Sequence, residues 1–89
     1  MIRTNYQRIL DIEIDGADER FGPFHSTHEG LGVLEEEYRE LKDAVHDNDT
    51  DAIVKEALQV AAVATRLALS LDNEDTRNRS NCKPWGGAK

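Results

Sequence analysis

One segment of this chain cannot face water on any side once it is helical. Ala57-Leu58-Gln59-Val60-Ala61-Ala62-Val63-Ala64 is apolar on nearly every face, and a helix that is apolar all round is buried all round. The flanking residues extend it into a helix expected from about Asp51 to Ser70, and the alanines permit close approach of other helices. Cover for it must come from somewhere. The chain has 89 residues, 38% of them hydrophobic and 6% aromatic, so its core is aliphatic, and a monomer of this size buries only about 60–65% of its unfolded surface. Two further helices cannot easily enclose a third. The expectation is an all-α, three-helix chain that assembles into an oligomeric helical bundle, a homodimer or homotetramer, with this helix at its centre.

The other two helices are read from spacing. Tyr6, Ile9, Leu10, Glu13, Ala17 and Phe21 follow helical periodicity, which places a first helix from about Asn5 to Arg20 with Thr4 or Asn5 as its N-cap. Asp11-Ile12-Glu13-Ile14-Asp15 also alternates like a strand, but no second strand exists to pair with it. Phe21-Gly22-Pro23-Phe24 is a turn in which Phe24 can cover the junction. Ser26-Thr27-His28-Glu29 has the form of a capping box, in which Ser26 accepts from the Glu29 N–H and the Glu29 carboxylate returns to the N–H of Ser26. The second helix then runs to about His46. His46-Asp47-Asn48-Asp49-Thr50 is a short polar connector, with Asn48 suited to a left-handed C-cap and Asp49 or Thr50 to an N-cap. So short a link makes helices two and three antiparallel neighbours.

In the second helix Leu31, Leu34, Tyr38, Leu41 and Val45 form one apolar stripe. At ~100° per residue, Glu37 and Glu40 fall on the flank of that stripe, level with Val33 and Ala44, while Glu36 lies nearly opposite. In the third helix Glu56 and Gln59 share a line with Ala52 and Val63, where periodicity predicts core. An antiparallel pair can set these two lines face to face, so that three carboxylates and one amide converge. Adjacent carboxylates drawn out of water repel and lose hydration, and they need a cation, a proton or strong donors. An oxygen-rich set of this kind suits a hard cation, magnesium or manganese, rather than zinc. The competing reading is a hydrogen-bonded network that only fixes helix register.

The formal charge is −7, from 18 acidic and 11 basic residues. This argues against a nucleic-acid polymer as partner, since such binders carry basic faces, but not against a single nucleotide held through a metal. Nothing approaches ~18 continuous apolar residues, which argues against a membrane span. The N-terminus opens no signal-peptide core, and the lone Cys82 permits no disulfide within one chain; a cytoplasmic protein is the expectation. The domain is expected to occupy residues 1–71. Residues 72–89 are a polar tail, flexible or wrapped on a partner, with Trp85 as its one aromatic anchor.

Three blocks of this sequence together resemble a known family. Arg20-Phe21-Gly22-Pro23-Phe24-His25-Ser26-Thr27-His28-Glu29-Gly30, then Glu36-Glu37-x-x-Glu40-Leu41, then Glu56-Ala57-Leu58-Gln59-Val60-Ala61-Ala62 look like the all-α nucleoside triphosphate pyrophosphohydrolases of the MazG-like group, in particular its small phage and prophage members. The resemblance covers about residues 6–71. It implies magnesium-dependent hydrolysis of a nucleoside triphosphate between the α and β phosphates, giving a monophosphate and pyrophosphate. Glu37, Glu40 and Glu56 would be metal ligands, with Glu36 orienting the attacking water or holding a second ion. The family's final aspartate is Gln59 here. An amide can ligate magnesium but brings no charge, which implies weaker metal binding, one ion where relatives use two, or lost catalysis. The alternative function is therefore a non-catalytic helical module that binds a nucleotide or a protein. Helix N-termini favour anions, so His25, Ser26 and His28 are candidate substrate contacts; Arg20, Lys55 and Arg66 are candidates as well, each read first as a solvated charge. His25 and His28 could also pair on zinc, yet no further soft ligand lies near in sequence.

Overall fold

The computed structural model describes residues 1–75, with side chains placed through residue 71. Three helices follow one another: α1, Arg3–Phe21; α2, Thr27–His46; and α3, Thr50–Asp75. No strand occurs among the described residues, so Asp11–Asp15, whose alternation also suits a strand, is helical. No described helix is long and apolar enough to cross a membrane.

α1 starts earlier than its spacing predicts. The Tyr6 N–H bonds to the Ile2 carbonyl at 3.0 Å, which closes the first helical turn upstream of Thr4 and Asn5. Ile2 takes the N-cap position and offers no side-chain acceptor. Gly22 ends the helix at φ 70°, a left-handed value that favours glycine, and returns its N–H to the Asp18 carbonyl at 2.8 Å. α3 continues past Leu71 to Asp75. The polar tail expected from residue 72 therefore begins as helix, and the rest of it, with Cys82 and Trp85, lies outside the described residues.

The α2–α3 link is closed by backbone geometry. Asn48 adopts φ 57°, its N–H bonds the Val45 carbonyl at 3.1 Å, and the Asp49 N–H bonds the Ala44 carbonyl at 3.2 Å. These two bonds make a Schellman motif, which satisfies the last carbonyls of α2. The Asp49 carboxylate then accepts from the Ala52 N–H at 3.1 Å and caps α3. One residue finishes one helix and starts the next, which leaves no slack and turns the chain back on itself. Gly30 lies against Leu67 at one end of the pair, and Glu37 and Glu40 lie near Glu56 further along, so the two helices run antiparallel.

α3 is the element on which the others rest. It packs against both α2 and α1, while no Cα of α1 comes within 8 Å of α2. The buried apolar residues are Ile14 and Ala17 of α1, Ala44 of α2, and Ala62 and Val63 of α3. They are mostly small, and no large side chain is fully enclosed among the described residues. Within one chain the run Ala57–Ala61 is only half-buried and Ala64 is exposed.

The face that α2 turns inward differs from the stripe of large apolar residues. Leu31, Tyr38 and Val45 are 48%, 58% and 48% exposed, whereas Gly30, Val33, Leu34, Glu37, Leu41 and Ala44 are buried or half-buried. Gly30 lies at the close approach of α2 to α3. A Cβ there would lie 2.8 Å from Leu67 Cδ1 and 3.2 Å from Phe24 Cδ2, so the absent side chain is what lets the α2 backbone settle on α3. The consequence for chemistry is direct: Glu37 sits in the middle of the packed face rather than on its flank.

Candidate metal centre and adjoining crevice

The centre is assembled from α2 and α3. Glu37 and Glu40 stand one turn apart on α2, and Glu56 projects from α3. One carboxylate oxygen from each lies within 4.8 Å of the other two. Glu37 and Glu56 are half-buried and Glu40 is exposed. Glu56 Oε1 is fully enclosed and has no hydrogen-bond partner among the described residues, a condition that buried polar atoms rarely tolerate.

Among the described residues no cationic side chain pairs with the cluster, and Glu37 registers the deficit. Burial first, then the charges of Glu40, Glu56 and Glu36 push its carboxyl up to about 7. A carboxyl that holds its proton near neutrality is the response expected of like charges gathered without a counterion. The donor set is all oxygen and anionic, which fits a hard divalent cation and not zinc.

The remaining sequence-derived candidates divide by position. Glu36 is exposed and is not among the three converging residues, although its charge reaches Glu37. Gln59 lies one turn along α3 from Glu56 and lines a crevice of about 230 Å³ between the three helices. Glu37 lines the same crevice, so it belongs to both the acid cluster and the cavity. Arg20 and His25 stand on its walls as well. The Arg20 Nη2 is 3.9 Å from Glu13 Oε2, and its guanidinium stacks 5.3 Å from the centre of the exposed Phe21 ring. His28 and Lys55 are exposed and do not line the crevice.

The start of α2 differs in one detail from the expected capping box. Ser26 Oγ accepts from the Glu29 N–H at 3.1 Å. The Glu29 carboxylate returns to the His25 N–H rather than to that of Ser26, and it also lies 3.3 Å from His25 Nδ1. The backbone bond from His25 holds the Glu29 carboxyl below the usual range, against a smaller opposing effect of burial, with the His25 ring adding to the lowering. His25 is thus engaged in closing the helix, and no third ligand gathers with His25 and His28 among the described residues.

Arg66 is the residue that spacing alone misplaces. It is 7% exposed, not solvated. Its Nε donates to Asp18 Oδ1 at 2.8 Å and its Nη2 to the Gly22 carbonyl at 2.7 Å, while its guanidinium lies 4.6 Å from the centre of the Phe24 ring. All three partners come from α1 or the turn after it. The one available sequence signal is the position of Arg66 on the line of Ala62 and Val63, one turn further along an apolar helix.

Compared with known proteins, the chain matches no family model, no curated protein and no solved structure.

Proposed function

We propose that this chain is a magnesium-dependent nucleoside triphosphate pyrophosphohydrolase of the MazG-like type, cleaving between the α and β phosphates to release pyrophosphate. The observation that supports it is the convergence of Glu37, Glu40 and Glu56 from two antiparallel helices, with one buried oxygen of Glu56 unpartnered. The order of the three resembling sequence blocks adds to that support. Glu37, Glu40 and Glu56 hold a magnesium or manganese ion, which supplies charge neutralisation at the phosphates and a more acidic water. Glu36, exposed beside them, orients the attacking water or contributes to a second ion. Glu37, poised near neutrality, accepts a proton when the ion is absent and gives it up when the ion binds. Arg20 offers a cationic contact at the crevice wall, and the His25 ring stands beside it.

The active form is an oligomer in this reading, a homodimer or homotetramer in the cytoplasm. The outward row of Leu31, Tyr38 and Val45 and the half-covered alanine run of α3 supply the apolar surface for it. The rival is a catalytically silent module that keeps the fold and binds a nucleotide or a protein, and the neutral Gln59 beside the acids favours it. Pyrophosphate release from a panel of nucleoside triphosphates with magnesium separates the two. The hydrolase reading expects release by the natural chain and its abolition in Glu37→Gln; a silent panel in which nucleotides still bind supports the rival.

A further inference from the structure

The polar groups on the walls of the three-helix crevice are almost all spoken for. Glu13 faces Arg20, Glu29 is taken by His25, Arg66 by Asp18 and the Gly22 carbonyl, and Glu37 belongs to the acid cluster. Gln59 is left. The residue is half-buried, lines the crevice and makes no side-chain hydrogen bond among the described residues. A primary amide presents a donor and an acceptor side by side, which is the pattern that reads the edge of a heterocyclic base. The remaining wall includes Ala17, Val33, Val63 and Phe24, an apolar surround for a flat ring. About 230 Å³ is below the roughly 300–1,000 Å³ of sites that enclose a drug-sized molecule, so the crevice takes one ring system and not a whole nucleotide.

We infer that Gln59 is a specificity residue rather than a metal ligand: it hydrogen-bonds the exocyclic edge of a nucleobase seated in the crevice between α1, α2 and α3. The inference rests on the hydrolase reading above, because Glu37 joins the crevice to the acid cluster and one nucleotide can then occupy both. The neutral side chain at this position follows from the role. A carboxylate would offer acceptors only, whereas an amide serves a base edge that carries one donor and one acceptor.

The test compares kcat/KM for the preferred nucleoside triphosphate with that for its analogue lacking the exocyclic polar group, the purine or 2-pyrimidinone ribonucleotide, on the full chain with magnesium. The natural chain is expected to prefer the complete base about tenfold, the order expected for loss of one to two such hydrogen bonds. Gln59→Leu, similar in volume, is expected to bring that ratio near one, while Gln59→Glu re-ranks the four bases toward those with amino donors. Magnesium affinity measured by calorimetry without nucleotide stays within twofold in Gln59→Leu. If pyrophosphate is released but the ratio is unchanged in both variants, the base-reading role is overturned and the hydrolase stands. If magnesium affinity instead falls more than tenfold in Gln59→Leu with the ratio preserved, Gln59 is a metal ligand. A natural chain that neither binds nor cleaves any of the nucleotides overturns the hydrolase and this role together.

Discussion

Arg66 Nε donates to Asp18 Oδ1 at 2.8 Å across a sequence separation of 48 residues. The same guanidinium reaches the Gly22 carbonyl at 2.7 Å and lies over Phe24. One side chain of α3 therefore fixes the end of α1, the turn after it and the aromatic that closes that turn. Lysine cannot reproduce the fork. Arg66→Lys is expected to lose about 1–3 kcal/mol, the range for breaking a charged hydrogen bond and stranding a buried acceptor, read from urea denaturation. Asp18 is 56% exposed, so Asp18→Asn is expected to lose less than about 1 kcal/mol. Equal losses would mean that the ion pair, and not the carbonyl and the ring, carries the junction.

The two glycines of α2 should respond oppositely to alanine. At Gly30 a Cβ meets Phe24 Cδ2 at 3.2 Å and Leu67 Cδ1 at 2.8 Å; at Gly32 it meets nothing within 4 Å. Alanine improves an exposed helix interior by up to about 1 kcal/mol, so Gly32→Ala is expected to raise the midpoint of thermal unfolding. Gly30→Ala gains the same propensity but forces the α2–α3 contact apart, and a net loss of about 1 kcal/mol is expected. A stabilised Gly30→Ala would show that Leu67 moves aside freely and that the glycine does not set the rotation of α2.

Asp49 carries the α2–α3 turn twice, through its N–H to Ala44 and its carboxylate to Ala52. Only the second bond is lost in Asp49→Ala, at an expected cost of about 1 kcal/mol. Asn48→Gly relieves the left-handed φ of 57° and is expected to be neutral or slightly stabilising, whereas a β-branched residue at position 48 is expected to destabilise. Paired thermal melts of these variants check the order.

What could be read in advance follows the range of the interactions involved. Ser26, Asn48 and Asp49 act on backbone groups within a few residues, and their roles are visible in the chain itself. The helical spacing of the second helix to about His46 and of the third from about Asp51 to Ser70 is equally local, whereas the last turn of α3, to Asp75, falls in the stretch read as polar tail. The facing of the Glu37–Glu40 line toward Glu56 needed one extra step, the short connector that forces an antiparallel pair. Arg66 was not legible, because its partners lie on another helix and nothing near it in sequence announces them. The rotation of α2 was hidden for a related reason. Large side chains drew the stripe through Leu31, Tyr38 and Val45, yet the closest approach is set by what Gly30 lacks. Phe21, on the helical spacing of the first helix, is 70% exposed, with the Arg20 guanidinium 5.3 Å from its ring centre.

The acid cluster makes stability depend on pH in a specific direction. The Glu37 carboxyl lies near its ordinary value when unfolded and is pushed up to about 7 in the fold. Between those two values the folded chain holds more protons than the unfolded one, so stability falls as pH rises. Below that window the group has no effect; above it the loss is complete. Because Glu37 is only half-buried, solvent screening reduces the effect to the order of 1 kcal/mol, a shift of about 4–8 °C in a domain of this size. Melting temperature measured without metal is therefore expected to drop between pH 5 and pH 8, and Glu37→Gln is expected to abolish that drop and to be the more stable chain at pH 8. Magnesium acts on the same deficit, replacing the proton with a charge the cluster can keep. Adding it is expected to raise the melting temperature at pH 8 more than at pH 5.5, and Glu56→Gln is expected to lose most of the gain. A melting curve indifferent to magnesium at every pH, with the pH-dependent drop intact, would leave the three carboxylates as a register-fixing network and remove the ion from the proposed chemistry.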